Sequence, residues 1–221
     1  MKRNLLLLVV FAILASCSNK GENNNANGSS NPLKKVAEAV LLCEGAPLER
    51  SVGQEFAQKI SDKNHQLESE KNEIIGAEIS TEGNADFCVA IDSALKVKSL
   101  EPGYGRQYAH VELETIIKMT SEVPSQVKYV AIGYNGDEPC VMFQFQSQKW
   151  MKGNKADQFA QERAEGDRLR LSREMTIDLA NAKLYASVTK FVITVENDPV
   201  IPEVEEIMDN EKSAYCQKYG R

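Results

Sequence analysis

Short motifs and residue types that commonly mark an active site or a metal site are scarce in this chain of 221 residues. It has no GxSxG or HExxH motif, which argues against a nucleophile-elbow hydrolase and a zinc protease. His65 and His110 are its only histidines, so few nitrogen ligands exist for a metal. No CxxC pair suggests a redox motif or a zinc knuckle. From these absences we expect no metal and no cofactor.

The chain also lacks a surplus of basic residues and a long apolar segment. It has 26 Lys and Arg against 32 Asp and Glu, which argues against nucleic acid as a partner. The apolar run from Leu5 to Leu14 (LLLLVVFAIL) is too short for a bilayer span, which needs about 20 apolar residues. We therefore expect no spanning helix at this end of the chain.

What is present at this end is an export signal. Lys2 and Arg3 precede the apolar run, and Leu14-Ala15-Ser16-Cys17 ends it with small residues before a cysteine. This segment resembles the signal peptide and lipobox of bacterial lipoproteins. The resemblance implies that Cys17 receives a thioether-linked diacylglycerol, becomes the first residue after cleavage, and is then acylated on its amine. Ser18, standing where aspartate commonly signals inner-membrane retention, favours the outer membrane.

The sequence divides into three parts. Residues 1–16 form the signal peptide, and residues 17–32 form the lipidated cysteine and a tether rich in Asn, Gly and Ser. Such a tether cannot bury enough apolar surface to fold, and it spans roughly 20 Å as a coil. Residues 33–221 are long enough for one globular domain with its own core.

Charge and cysteine content describe the exported part further. Without Lys2 and Arg3, the chain keeps 24 basic and 32 acidic residues and a formal net charge of −8. This balance suits a basic protein partner, although mild acidity also simply aids solubility.

The even set Cys43, Cys88, Cys140 and Cys216 suggests two disulfides in an oxidising compartment. Three pairings are possible, and we slightly favour Cys43–Cys88 with Cys140–Cys216; buried free thiols are the alternative.

Helical patterns occupy the first part of the domain and its end. Asn31-Pro32 can cap a helix, and the apolar residues that follow repeat at helical spacing, namely Leu33, Val36, Ala37, Val40 and Leu41. Ser51 with Gln54 suggests a capping box for a second helix with the stripe Val52, Phe56 and Ile60. Residues 61–73 are polar, and they either continue this second helix or form a loop. Pro202 begins a last predicted helix.

The middle of the domain alternates with a period of two, which predicts strands. The alternating segments are 87–97, 109–119, 169–179 and 184–195, together with two β-rich runs that flank Asn135-Gly136 as a hairpin. Residues 152–168 predict a loop with a short helix. The fold class is therefore α+β, an antiparallel meander sheet of about six strands with N-terminal and C-terminal helices packed on one face.

Two polar faces on these strands could carry function. His110, Glu112 and Glu114 share one face, where they could bind a metal or transfer protons, but a half-buried strand shows polar groups on its outer side in any case. Gln144, Gln146, Gln148 and Trp150 share another face, which would suit a sugar or peptide, or would be the solvated side of an amphipathic strand.

Two further clusters favour ordinary explanations. Gly103-Tyr104-Gly105 opens no helix, so it predicts a turn and not a phosphate site. The arginines at 168, 170 and 173 alternate with acidic residues, which is typical of a solvated surface.

The sequence favours a lipid-anchored bacterial envelope protein that binds or interacts without catalysis, with another envelope protein as partner. The first alternative is a periplasmic binder of a peptide or glycan that uses the face of Gln144, Gln146, Gln148 and Trp150. The second is a hydrolase built around His110, Glu112 and Glu114.

Overall fold

Helices at the start of the domain precede a run of antiparallel strands. The computed structural model describes residues 31–46, 53–124, 127–151, 162–163, 165–202 and 204. The signal peptide, Cys17, the tether up to residue 30 and Cys216 lie outside these residues, as does most of the predicted loop at 152–168. Helices α1, α2 and α3 span Pro32–Leu41, Gly53–Ile74 and Ala182–Ser187. Strands β1 to β11 span, in order, Glu78–Ile79, Thr81–Gly83, Val89–Pro102, Tyr108–Met119, Val123–Pro124, Tyr129–Asn135, Glu138–Gln144, Ser147–Trp150, Glu162–Arg163, Arg168–Asp178 and Lys190–Val195.

Helix α1 forms as its sequence predicts. The Oδ1 atom of Asn31 accepts a hydrogen bond from the backbone N–H of Leu33 at 3.0 Å, and Pro32 takes the first helical position. The Nδ2 atom of Asn31 donates to the carbonyl of Val188 at 2.9 Å, which ties the start of α1 to the segment after α3. Leu33, Val36, Ala37 and Val40 of the apolar stripe are fully buried in the main core, and Leu41 is partly buried against it.

Helix α2 resolves the ambiguous polar segment at 61–73 as helix. Its buried residues repeat at spacings of three, four and seven, and they are Phe56, Ile60, Lys63, Leu67 and Ile74. Lys63 interrupts the apolar pattern, although it is fully buried. Its Nζ atom donates to the carbonyls of Gly103, Arg106 and Tyr108 at 3.0, 2.8 and 2.7 Å. The buried ammonium is thereby matched by three acceptors from the turn between β3 and β4.

Two main sheets carry the strands. The five-stranded sheet has the order β1-β3-β4-β10-β8, and every neighbouring pair in it is antiparallel. The four-stranded sheet has the order β2-β11-β6-β7, in which only the β2–β11 pair is parallel. The α+β class and the antiparallel pairing are therefore confirmed, but the described strands divide between these two sheets and a short β5–β9 pair, where one sheet was expected.

The predicted hairpin at Asn135-Gly136 is confirmed as β6 and β7, with Gly136 at φ 63° in the turn. The predicted strand at 184–195 is correct only in its second half. Residues 182–187 form α3, because Asn181 and the Asp178 carboxylate bond to each other's backbone and reverse the chain after β10. The helix then buries Ala182 and Tyr185.

One core joins the two sheets to the helices. Apolar residues from both sheets pack with α1 and α3 in a single cluster. The opposite face of the four-stranded sheet has its own small cluster, in which Val130 and Ile132 of β6 are grouped with Ile201 and Val204. Ile201, Pro202 and Val204 are helical, as predicted for a helix near Pro202, and its remainder lies outside the described residues.

The three described cysteines have free thiols, so the expected Cys43–Cys88 disulfide is wrong. Cys43 is fully buried with Phe56 and Ile60 under α2, whereas Cys88 lies after a 3₁₀ turn beside the Ser121 hydroxyl. The two cysteines thus belong to separate environments. Cys140, whose expected partner Cys216 is outside the described residues, lies near the Gly133 carbonyl.

Candidate functional site

The outer face of the five-stranded sheet, which points away from the core, carries His110, Glu112 and Glu114 of β4. These residues alternate with buried neighbours, as the strand pattern predicts. His110 lies between Glu101 of β3 and Thr176 of β10, and its Nδ1 is 3.0 Å from the Thr176 hydroxyl.

The carboxylates of this face are engaged in ion pairs. Glu112 accepts from Lys98 at 2.7 Å, and Glu114 lies 4.0 Å from Lys96 and 3.8 Å from Arg170. Arg168 donates from Nε to the Asp92 carboxylate at 2.9 Å. Opposite charges on neighbouring strands are typical of a stabilised, solvated sheet surface. This environment favours the surface interpretation of the three residues over an acid–base site.

A shallow groove crosses this face above β3, β4 and β10. Its volume is about 510 Å³, and we call it the outer groove; it is lined by Ser99, Glu101, His110, Val111, Glu112, Gln146, Glu174, Met175 and Thr176. Among the described residues, no group of three or more His, Cys, Asp or Glu is arranged to hold a metal ion.

A second cavity lies where the chain crosses from one sheet to the other. The backbone N–H of Phe145 donates to Tyr129 of the four-stranded sheet at 3.0 Å. The next N–H, of Gln146, donates to Ser172 of the five-stranded sheet at 3.0 Å. The cavity at this crossing has a volume of about 370 Å³, and we call it the crossover cavity; it is lined by Lys128, Gln144, Phe145, Gln146, Gln148 and Arg173.

Three of the four residues predicted to share the glutamine face line the crossover cavity, although they do not belong to one strand. Gln144 ends β7, Gln146 lies between the strands, and Gln148 belongs to β8. Trp150 pairs through its backbone with Leu169, but its side chain lies outside the described part. The chain leaves one sheet for the other after Phe145, which brings the amides together by tertiary structure.

Two of these amides already have protein partners that orient them. The Oε1 atom of Gln146 accepts from the backbone N–H of Glu174 at 3.2 Å. The Nε2 atom of Gln148 donates to the Val127 carbonyl at 3.5 Å. Each amide retains further hydrogen-bonding capacity, because an amide offers two N–H donors and a carbonyl acceptor.

Arg173 is the residue that the sequence interpretation missed. It pairs with Leu113 and lies on the same side of β10 as Leu171, which is the core-facing side, unlike Arg168 and Arg170. Its Nε atom is buried and has no hydrogen-bond partner among the residues that the structure describes. The prediction of a solvated arginine cluster therefore fails for Arg173 alone. The signal that could have identified it is its spacing: Arg173 stands an even number of residues from Leu169, Leu171 and Ile177, so it shares their side of the strand.

The charge of Arg173 reaches into the core. Burial raises the pKa of the Tyr185 phenol, and the positive charge of Arg173 acts in the opposite direction. At the turn Gly103-Tyr104-Gly105, the Tyr104 hydroxyl donates to Glu68 at 2.7 Å, and the Gly103 carbonyl accepts from Lys63. This supports the prediction that the glycines there form a turn.

No family model matches this chain, and neither the curated proteins nor the solved structures contain a significant match to it. None of the helices in the described part has the length and apolarity that a membrane span requires.

Proposed function

We propose that this chain is a lipid-anchored binding protein of the bacterial cell envelope that carries out no reaction itself. Acylated Cys17 would hold it at the membrane, more specifically the outer membrane in view of Ser18, and residues 17–30 would tether the domain. The observation that carries the binding function is the crossover cavity, whose lining includes three glutamines and Arg173. Such groups recognise polar ligands by hydrogen bonds.

Two kinds of occupant follow from the sequence, an envelope protein and a small peptide or glycan. The cavity volume of about 370 Å³ lies within the range of about 300–1,000 Å³ that is usual for small-ligand sites. Convergent amides also suit the hydroxyl groups of a glycan or the backbone of a peptide. The cavity therefore favours the small ligand, whereas the acidic surface suits a basic protein partner.

Photo-cross-linking in intact cells tests the binding function. Gln144 is exposed at the cavity and can be replaced by benzoylphenylalanine in the full-length, lipidated protein. Gln58, exposed on α2, provides the matched control. We expect an adduct that forms from position 144 and not from position 58, and mass spectrometry of the adduct identifies peptide, glycan or protein. The same products from both positions, or none from position 144, would count against the proposal.

The anchor needs a separate test. Cys17→Ser removes the thiol to which the diacylglycerol would attach, and we expect the protein to move from the membrane fraction to the soluble fraction. A Cys216→Ser variant controls for loss of a cysteine as such. Retention of the Cys17→Ser variant in the membrane would contradict the lipoprotein assignment.

A further inference from the structure

Among the described residues, Arg173 has no acidic partner, unlike the other two arginines of its strand. Arg168 bonds to Asp92, and Arg170 lies 3.8 Å from Glu114. In the described part of the chain, Arg173 forms neither an ion pair nor a side-chain hydrogen bond. A guanidinium is permanently charged, so this position keeps an uncompensated cation at the wall of a cavity.

The position of this cation makes the lack of a partner costly. The side chain is half-buried on the core-facing side of β10, and its Nε atom is inaccessible to solvent. A buried donor without an acceptor destabilises the fold, and the penalty is larger when the donor is charged. Because Nε is closed to solvent, a ligand in the crossover cavity would meet the rest of the guanidinium. An anionic ligand there would supply the counter-charge that the described residues do not, so the cavity favours negative charge.

The neighbouring groups define which anion fits. Guanidinium has a planar fork of donors that matches the two oxygens of a carboxylate. The Oε1 atom of Gln146 accepts from the backbone N–H of Glu174, so its NH₂ group can donate to a ligand. Lys128 adds a second positive charge to the lining, although it lies 3.4 Å from Glu196. Amides beside the guanidinium would bind the hydroxyl or amide groups next to the carboxylate.

We infer that the crossover cavity binds its ligand through a carboxylate held by Arg173. The inference rests on the proposed binding function and specifies the chemistry of the ligand at that site. Two sources supply such a group in a molecule of suitable size, the free C-terminus of a peptide and a uronic acid sugar. Both combine the carboxylate with the neutral polar groups that glutamine side chains recognise.

Calorimetric titration of the lipidated protein in detergent tests the inference with matched probes. N-acetyl-trialanine is compared with its C-terminal amide, and glucuronate with glucose. We expect the acid of at least one pair to bind roughly ten- to hundred-fold more tightly than its neutral partner, as expected for charge-assisted hydrogen bonds. The pair that discriminates identifies the source of the carboxylate.

Substitutions assign the preference to the residue. Arg173→Gln should abolish the discrimination between acid and neutral probe, and Arg173→Lys should keep part of it. Arg170→Gln is the matched control because this arginine lies on the outer face of the same strand. The wild-type comparison keeps the inference testable even if the Arg173 variants do not fold.

The outcomes separate this inference from the proposed function. If acid and neutral probe bind with equal affinity in both pairs, the site does not recognise a carboxylate, and the cavity is a binding site for neutral ligands. Discrimination that survives Arg173→Gln overturns the role of Arg173. Absence of binding by all four probes overturns the inference, and an adduct from position 144 would then still support the binding function.

Discussion

Lys63 of α2 donates from Nζ to the carbonyl oxygen of Tyr108 at 2.7 Å, across 45 residues of sequence. The same ammonium also binds the carbonyls of Gly103 and Arg106. It therefore fixes the turn between β3 and β4 against a helix that otherwise packs through apolar residues. The contact explains why a lysine occupies a fully buried position on the inner stripe of α2.

Replacing Lys63 with methionine should lower the free energy of unfolding at pH 7. The three hydrogen bonds are lost, while Gly103 and Tyr108 keep backbone partners for their carbonyls. We expect a loss of about 1–3 kcal/mol, the usual range for donors that carry charge. Denaturant unfolding measures it, and Lys71→Met, on the same helix, is the control. A variant as stable as the wild type would contradict this role.

Lys63 should also make stability depend on alkaline pH. Burial lowers the pKa of Lys63 to about 8 from its ordinary 10.5. Between these values the unfolded chain binds more protons than the folded chain, so the contribution of Lys63 to the free energy of unfolding rises with pH. Over the whole interval this contribution amounts to roughly 3 kcal/mol. The difference between wild type and Lys63→Met, measured at pH 7 and pH 10, should widen in favour of the wild type.

Asn31 should contribute to stability through both ends of its amide. Asn31→Ala removes the helix cap and the bond to Val188, and we expect a loss of about 1–2 kcal/mol. Asn31→Asp keeps an acceptor for the cap but cannot donate to Val188, so its loss should be smaller. Thermal unfolding of the wild type and the two variants ranks their stabilities. An alanine variant equal to the aspartate variant would show that the cap contributes little.

His110→Ala should leave both the fold and the crossover cavity unchanged. His110 is exposed on the outer face, where its ring contacts the Thr176 hydroxyl and lies 4.8 Å from the Tyr108 ring. Surface substitutions of this kind usually change stability by less than about 0.5 kcal/mol. Unfolding and probe titration together check this. Loss of probe binding would transfer the site from the crossover cavity to the outer groove.

The free thiols can be counted directly. In a Cys216→Ser variant, Cys43, Cys88 and Cys140 should all react with a thiol reagent after denaturation without reductant. The folded protein should protect Cys43, which is fully buried. Burial also raises the pKa of the Cys43 thiol, which lowers its reactivity further. Fewer than three reactive thiols in the denatured variant would reveal a disulfide.

The local elements were predictable because their signals are local. The cap and apolar spacing of α1, the turn at Gly136 and the alternation of β4 are encoded within a few residues, and each is confirmed. The α+β class follows from the order of these elements. Helix α3 was missed because six residues are too few to show helical spacing, and its position depends on the turn at Asp178 and Asn181.

The relationships that define the candidate site are long-range, and they arise from the packing of distant segments. Alternation predicts that Gln144, Gln146 and Gln148 share a face, but the cavity exists because the chain changes sheets after Phe145. Arg173 and Lys63 look like ordinary surface charges in the sequence. Their roles depend on which face of the element meets the core, and on which distant groups the packing places beside them, because a charge in a protein interior is tolerated only with suitable partners.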